Sequence, residues 1–307
     1  GDTIQLRSTP SGTPSTPTAR WSVMFEGSSA KESLILGHGT SNSSSTVYDP
    51  VSQGYGGATG NEYNTYRIIP TSGIIKNLYV QTLNSVTDPN KPTLTLRLNG
   101  EDTSLNCTVD SGTTCNNTSD TIRVAPGDYV DMQISANSAA GGVSWGMTFV
   151  ADTDGESLVL GNSSVQPTYA ATRFFTLNSG VYSDAWGGTE SSFYQGGQSG
   201  FSLKKLHVML GSTSNGPYTF YVRATGAGGN TPITVVVPAG STTGSDTTHV
   251  YEMGDYDDLD ISCYRDGTGA LVYWGLVSCI ATGNSPPALT VDEPDGTDDT
   301  VTVGESY

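Results

Sequence analysis

The chain contains the same sequence pattern twice. Three segments return in the same order, each displaced by about 125 residues, which is far longer than the period of a solenoid repeat. The matching segments, first copy and second copy, are Glu32–Gly37 with Glu156–Gly161, Gly127–Asp131 with Gly254–Asp258, and Trp145–Met147 with Trp274–Leu276. A period of this length indicates two copies of a whole domain, which we call repeat 1 and repeat 2.

The sequence between these landmarks is typical of β-structure. Short runs of Val, Ile, Thr, Tyr and Leu are separated by Gly, Asn, Asp and Pro, and no convincing amphipathic helix is found. Leu94, Leu96 and Leu98 alternate with polar residues, as on a half-buried strand. About eight strands per repeat predict an all-β protein with two tandem jelly-roll-like antiparallel β-sandwich domains. An immunoglobulin-like sandwich is the alternative, although neither repeat has its Cys…Trp…Cys spacing.

Composition also divides the chain into four parts. Residues 1–20 are rich in Pro, Ser and Thr and predict an extended arm. Residues 21–152 and 153–284 are the two sandwich repeats, joined so directly that we expect them to pack side by side. Residues 285–307 form an acidic tail with strand-like segments, which we expect to pair with the body of the chain or with a neighbouring subunit.

The charge of the protein limits its partners. The formal net charge is −17 and the sequence pI is about 4.2, so nucleic acids and anionic membranes would be repelled. No apolar run reaches the roughly 18 residues of a membrane span, so no membrane insertion is expected. Because no export signal is visible, we expect an extracellular or virion-surface location, reached after removal of a leader or within a virus particle.

The four cysteines are divided equally between the repeats. Cys107 and Cys115 flank a turn that contains Gly112, so we predict that they face each other across a hairpin and can form a disulfide. Such a bridge would imply an oxidising compartment. Repeat 2 has no counterpart, and Thr242 is matched with Cys115. A second bridge between Cys263 and Cys279 does not fit the expected hairpin register.

Signals of enzymatic chemistry are weak. The three histidines do not recur between the repeats, and no nucleophile elbow, phosphate-binding loop or zinc-protease motif occurs. We therefore predict no catalytic residue, no enzyme activity and no cofactor. A glycosidase would need a carboxylate pair, and nothing in the sequence selects one.

Calcium is the metal that the acidic clusters would suit. Oxygen ligands are what calcium prefers. One cluster lies at Asp255–Asp260, where a solvated acidic surface is the alternative. The candidate ligands in the tail are Asp292, Glu293, Asp295, Asp298 and Asp299.

Aromatic residues crowd a Gly-rich loop in each repeat. Tyr55 and Tyr63 lie in the first loop, and Trp186 and Tyr194 in the second, with Trp186 matched to Tyr55. Exposed aromatic rings can stack on sugars, which would make these residues a glycan site. The alternative is a subunit interface, where Tyr and Trp are enriched.

The turn and strand motifs of each repeat have a familiar order. Lys76–Val80, an alternating strand ending at Gly100, then Gly127–Asp131 and the Trp145 strand resemble β-sandwich modules of tailed-phage virion proteins and environmental bacterial surface proteins. The resemblance covers about residues 21–283 and implies fold and context, but no functional residue.

Taken together, the sequence predicts a non-enzymatic structural protein. It would assemble with copies of itself, or dock on a larger assembly, through β-sheet and terminal-strand contacts. A phage decoration or fibre protein and an extracellular filament subunit both fit. The alternative is a glycan-binding adhesin.

Overall fold

The computed structural model describes residues 25, 29–40, 45–52, 58–89, 91–135, 141–178 and 186–280. The predicted arm (1–20) and the tail (285–307) lie outside these ranges. Tyr55 and the five acidic residues of the tail, Asp292 to Asp299, therefore lie outside them too.

Within the described residues, repeat 1 contains nine strands and one short 3₁₀ turn, Glu62–Asn64. The strands are β1 (Glu32–Thr40), β2 (Val47–Asp49), β3 (Arg67–Ile68), β4 (Gly73–Val86), β5 (Thr93–Leu98), β6 (Glu101–Thr108), β7 (Gly112–Val124), β8 (Tyr129–Ile134) and β9 (Gly142–Ala151).

Repeat 2 contains the same series, with a 3₁₀ turn at Glu190–Ser192. The strands are β10 (Glu156–Ser163), β11 (Thr172–Phe175), β12 (Gln195–Gly196), β13 (Phe201–Leu210), β14 (Tyr218–Ala224), β15 (Gly229–Val237), β16 (Thr243–Glu252), β17 (Asp258–Arg265) and β18 (Val272–Ile280).

Each repeat is an antiparallel jelly-roll sandwich. In repeat 1 the sheet β1-β9-β4-β7 faces the sheet β2-β8-β5-β6, with β3 added beside β8. In repeat 2 the sheet β10-β18-β13-β16 faces β11-β17-β14-β15, with β12 beside β17. Every strand of repeat 2 thus takes the place of the strand nine positions earlier. The predicted fold class is confirmed, and the two copies share their topology strand for strand.

A tryptophan fills the same place in the core of each sandwich. The indole N–H of Trp145 donates to the carbonyl of Val51 at 2.8 Å, and that of Trp274 donates to Leu177 at 2.7 Å. The strand beside each indole has a glycine, and a Cβ on that glycine would overlap the ring. This glycine–tryptophan contact explains why both residues recur in the two copies.

The copies also agree in an irregular detail of the backbone. Asn77 in β4 has φ +58° and Lys205 in β13 has φ +54°. Both lie where the register with the neighbouring strands shifts, which is a β-bulge. A positive φ within a strand is uncommon for residues other than glycine. Its occurrence at the same bulge in both repeats indicates that the two strands correspond residue by residue here.

One pairing suggested by the sequence is wrong. The sequence matches Gly127 with Gly254. In the structure, the residue of repeat 2 equivalent to Gly127 is Tyr256, because both have positive φ at the same position of the same turn. The aspartate after each closes that turn. Asp128 accepts from the N–H of Ala125, and Asp257 accepts from the N–H of Gly254, both at 2.8 Å. The turn geometry therefore shifts the equivalence by two residues.

Cys107 and Cys115 form a disulfide, with their Cα atoms 6.0 Å apart. The predicted hairpin is wrong, because Cys107 lies in β6 of one sheet and Cys115 in β7 of the other. The bridge therefore joins the edges of the two sheets.

Repeat 2 closes the same edge with Val235 and Gly244 instead. A Cβ on Gly244 would lie 2.8 Å from Cγ1 of Val235, so Val235 occupies the space that the disulfide fills in repeat 1. Strand pairing places Gly244, and not Thr242, at the position of Cys115. The remaining cysteines, Cys263 and Cys279, are free thiols.

Candidate assembly surface

The two sandwiches meet at a junction formed by residues 62–71 of repeat 1, which we call the docking segment. It lies on the outer side of the sheet β10-β18-β13-β16 of repeat 2, which we call the covered face. The Asn162 side chain donates to the carbonyl of Asn64 at 2.7 Å, and the Tyr273 hydroxyl donates to the carbonyl of Tyr63. Side chains of repeat 2 thus satisfy backbone carbonyls of repeat 1.

The junction buries both sides of β18. Its core-facing residues alternate with Tyr273 and Val277, which point outward and are nevertheless fully buried. Between them, Gly275 lies so close to the docking segment that a Cβ would overlap the carbonyl oxygen of Ile68. On β10, Leu160 belongs to the core cluster of repeat 1. The docking segment therefore seats directly on bare backbone at Gly275 and on apolar side chains around it.

A buried carboxylate connects the two repeats. Glu156 accepts from Lys205 at 2.7 Å and lies 3.0 Å from the ammonium of Lys204. Its other oxygen accepts from the hydroxyl of Thr71, in the docking segment, at 2.5 Å. Burial opposes ionisation of Glu156, but the hydrogen bonds from these three partners outweigh it and lower the pKa of the carboxyl. The junction therefore contains an ionised carboxylate with hydrogen bonds from both repeats.

The outer side of the sheet β1-β9-β4-β7 in repeat 1 is the equivalent of the covered face. We call it the open face. Strand pairing places Leu36, Gly146 and Tyr79 in one row across it, in the positions of Leu160, Gly275 and His207. Leu36 is 49% exposed and Tyr79 is 45% exposed, whereas Leu160 is 2% exposed. The same surface is therefore covered in repeat 2 and accessible in repeat 1.

An arginine fixes the 3₁₀ turn that starts the docking segment. Arg97 on β5 donates to Glu62, the first residue of the turn, at 2.6 Å, and it also bonds the side chain of Asp102. Asp131 on β8 is fully buried beside this pair. Burial, followed by the negative charge of Glu62, raises the pKa of Asp131 well above its usual range. The cluster ties the docking segment to its own sheet.

Repeat 2 has the same cluster around its own turn. Arg223 donates to Glu190 at 2.5 Å and bonds Asn230, and the buried Asp260 takes the place of Asp131. Burial and the charge of Glu190 raise the pKa of Asp260 to about 8. Residues 190–199 of repeat 2, equivalent to the docking segment, are thus held in the same way, and they are half-buried or exposed.

The structure separates the aromatic residues proposed as a glycan or interface site. The prediction that Trp186 is a surface residue is wrong. Trp186 is 6% exposed and packs against Phe175 and Trp274, with ring centroids 5.4 and 5.8 Å apart. The isolated bridges Tyr48–Thr59 and Phe174–Gly187 match it with Ala58, not with Tyr55.

The other two aromatic candidates are accessible to different degrees. Tyr63 lies in the docking segment and is 51% exposed. Tyr194 lies in the equivalent segment of repeat 2 and is half-buried. The two tyrosines therefore occupy corresponding segments of two different sandwiches.

Two members of the acidic strand cluster, Asp257 and Asp260, are buried inside repeat 2, whereas Asp255 is exposed. The carboxylate of Asp257 accepts from the N–H groups of Gly226 and Gly254 and from the hydroxyl of Tyr251, at 2.6, 2.8 and 2.7 Å. Asp260 lies in the arginine cluster. Over the described ranges, no group of three or more His, Cys, Asp or Glu side chains could hold a metal ion.

Comparison with known proteins gives few matches. No family model matches the chain, and no curated protein matches it. A solved structure described as the triple jelly roll fold and turret assembly in an archaeal virus resembles it at 12% identity and a TM-score of 0.21, over 80% of this chain. The chain spans 58% of the length of that viral chain. At this TM-score the likeness supports no argument, so the fold assignment depends on the strand order given above.

Within the described part of the chain, no helix is both long enough and apolar enough to cross a bilayer.

Proposed function

We propose that this is a non-enzymatic structural protein that self-associates through the faces of its sandwiches, as a component of a virion surface or an extracellular assembly. The observation that carries the proposal is the contrast between the open face and the covered face. One fold, present twice, uses this sheet surface as a contact in repeat 2 and leaves it accessible in repeat 1.

The open face has the chemistry of an unfilled contact. Leu36 and Tyr79 place apolar surface in water on both sides of Gly146. Covering such surface lowers the free energy by about 25 cal/mol per Å². A row of apolar side chains around a glycine, with no internal partner among the described residues, is therefore a favourable surface for association.

Two further features support the proposed setting. The disulfide suits an oxidising compartment, and the net charge of −17 favours solubility. The arm (1–20) and the acidic tail (285–307) remain proposed connectors, since strand addition from a terminus would satisfy the backbone groups of a sheet edge.

The proposal is tested by measuring association of the purified full chain. Sedimentation velocity over a wide range of protein concentration, together with electron microscopy of the same samples, should show species larger than a monomer that grow with concentration. A single monomeric species at every concentration would contradict self-association. Repeating the measurement without residues 286–307 tests the tail separately, because loss of the larger species is expected if the tail is a connector.

A further inference from the structure

We infer that the open face of repeat 1 binds residues 190–199 of repeat 2 from a second copy of the chain, in the geometry of the internal junction. This inference rests on the proposed function and specifies its partner. The internal junction is the template: the docking segment of repeat 1 on the covered face of repeat 2. Each chain then offers one further acceptor, the open face, and one further donor, residues 190–199.

Gly146 is the strongest indication of the acceptor. Its equivalent, Gly275, lacks a side chain where the carbonyl of Ile68 contacts the sheet. Nothing inside repeat 1 imposes the same requirement, since a Cβ on Gly146 would meet only Cδ2 of Leu36, at 3.5 Å, among the described residues. Glycine weakens a strand unless a backbone must approach it closely. Backbone of a second chain, placed against Gly146 as the Ile68 carbonyl is placed against Gly275, would meet that requirement.

Part of the polar group at the centre of the junction is also present on the open face, where Asn77 takes the place of Lys205. Glu32 takes the position of Glu156, and its carboxylate lies 3.6 Å from the ammonium of Lys76, the counterpart of Lys204. At the junction, the carboxylate also accepts from the Thr71 hydroxyl. The equivalent of Thr71 is Ser199, which retains the hydroxyl. Ser199 of a second copy can therefore donate to Glu32 as Thr71 donates to Glu156.

The donor segment has the backbone conformation that the contact requires. Glu62–Asn64 and Glu190–Ser192 are both 3₁₀ turns, and each is held by one arginine of its own sandwich. Carbonyls of the first turn accept hydrogen bonds from the covered face. Because the second turn has the same geometry and its residues Ser191 and Ser192 are exposed, its carbonyls are available for the same contact.

Some contacts differ between the two surfaces. Ser144 replaces Tyr273 and His38 replaces Asn162 on the open face. Ser144 cannot reach as far as tyrosine, so the contact between copies is weaker than the internal junction. The internal junction also benefits from the short connection between the repeats, which makes it intramolecular. Association between copies is therefore expected to be reversible and dependent on concentration.

A contact between two different surfaces continues from copy to copy. Such heterologous association produces a ring if the rotation closes and an open filament if it does not. A heterologous contact makes a prediction that a symmetric dimer contact does not. Two variants, each with a different one of the two surfaces blocked, should not associate alone, but a mixture of them should form dimers and nothing larger.

Two variants provide this test. Gly146→Val blocks the acceptor with a side chain whose Cβ meets only Leu36 among the described residues, at van der Waals distance. Ser199→Glu blocks the donor by placing a carboxylate opposite Glu32. Ser104→Val, an exposed position on the opposite sheet, is the matched control for Gly146→Val. Sedimentation velocity is run on each protein alone and on an equimolar mixture of the two blocked variants, with melting temperatures to verify folding.

The expected result has three parts. Gly146→Val and Ser199→Glu alone raise the dissociation constant at least about tenfold, equivalent to 1.4 kcal/mol, while Ser104→Val associates like the unmodified chain. The mixture forms dimers and nothing larger. All variants melt within a few degrees of the unmodified chain. Dimers in the mixture support the inference even if the single variants retain weak association.

The opposing results are distinct. If the unmodified chain associates and both blocked variants associate equally well, the inference is overturned and the proposed function stands. The same holds if the mixture stays monomeric while the blocked variants are folded. If the unmodified chain never associates, both the inference and the proposed function fail.

Discussion

Leu36 and Leu160 occupy the same position in two copies of one fold, yet Leu36 is 49% exposed and Leu160 is 2% exposed. The strands around them pair in the same register, each leucine opposite a glycine. The difference comes entirely from what lies on the sheet: repeat 1 covers Leu160 through its docking segment. Repeat 1 thus covers the outer side of this sheet of repeat 2.

This pair gives the first prediction. Leu160→Ala should lower the free energy of unfolding by about 2–4 kcal/mol, because it leaves a cavity in a packed junction. Leu36→Ala should change it by less than about 0.5 kcal/mol. Urea unfolding of both variants, at a protein concentration too low for association, measures the difference. Equal losses for the two leucines would show that the junction does not form in solution.

Glu156 gives a second matched pair. Glu156→Gln leaves Lys204 and Lys205 without their carboxylate and should cost about 3 kcal/mol. Glu32→Gln, whose ion pair with Lys76 is partly exposed, should cost less than about 1 kcal/mol.

The cost of Glu156→Gln should also depend on pH. The folded-state pKa of Glu156 is lowered, so its stabilisation is complete above the unfolded value of about 4.3 and is lost as the pH falls below it. Unfolding of the chain and the variant between pH 3 and pH 7 measures this. A difference that stays constant down to pH 3 would argue against a buried ionised carboxylate.

Asp260 should produce a pH dependence of opposite sign. Its pKa in the folded state is raised to about 8, against about 3.9 in the unfolded chain. The folded state therefore retains a proton that the unfolded state has lost, and stability should decrease as the pH rises from about 4 to about 8. Asp260→Asn, neutral at every pH, should flatten this decrease in melting temperature, whereas Asp255→Asn, at an exposed position, should not. If melting temperature changed with pH in the same way for all three proteins, Asp260 would not be a buried, protonated acid.

The disulfide can be replaced by the solution that repeat 2 uses. Cys107→Val with Cys115→Gly reproduces the pair Val235 and Gly244, so the variant should fold with the same topology. It should lose about 2.5 kcal/mol, the loop-closure contribution of a bridge of this span. Cys107→Ser with Cys115→Ser should lose more, because a hydroxyl would replace a buried sulfur. Thermal unfolding of the unmodified chain with and without reductant measures the contribution of the bridge alone. Comparing the two double variants measures the effect of the replacing side chains. Equal stability of both double variants would contradict the equivalence of the Cys107–Cys115 and Val235–Gly244 pairs.

Much of the fold follows from the sequence. Duplication, strand content and the alternation around Leu94–Leu98 predict two jelly rolls, because patterns of period two depend only on local burial. The counterpart of Trp186 is predicted wrongly. An aromatic residue followed by two glycines occurs in each loop, and this pattern matches Trp186 with Tyr55. Its true position follows from the bridge Phe174–Gly187, a contact between distant residues that sequence spacing does not reveal.

The candidate surface was beyond sequence reasoning for a different reason. The segments around Leu36 and Leu160 are almost identical, and nothing within them indicates that one is covered. Burial here is decided by a neighbouring domain. The recurrence of glycine at Gly146 and Gly275 was the available signal, but its meaning depends on knowing that Ile68 contacts one of them.

The repeat junction has a consequence for chains of other lengths. Each added copy would fill one face and present another, so a tandem array of any size would keep one vacant surface at its first member and one vacant segment at its last. Further duplication would therefore lengthen the repeating unit of an assembly and its spacing, while each chain would still have two contact sites for other chains.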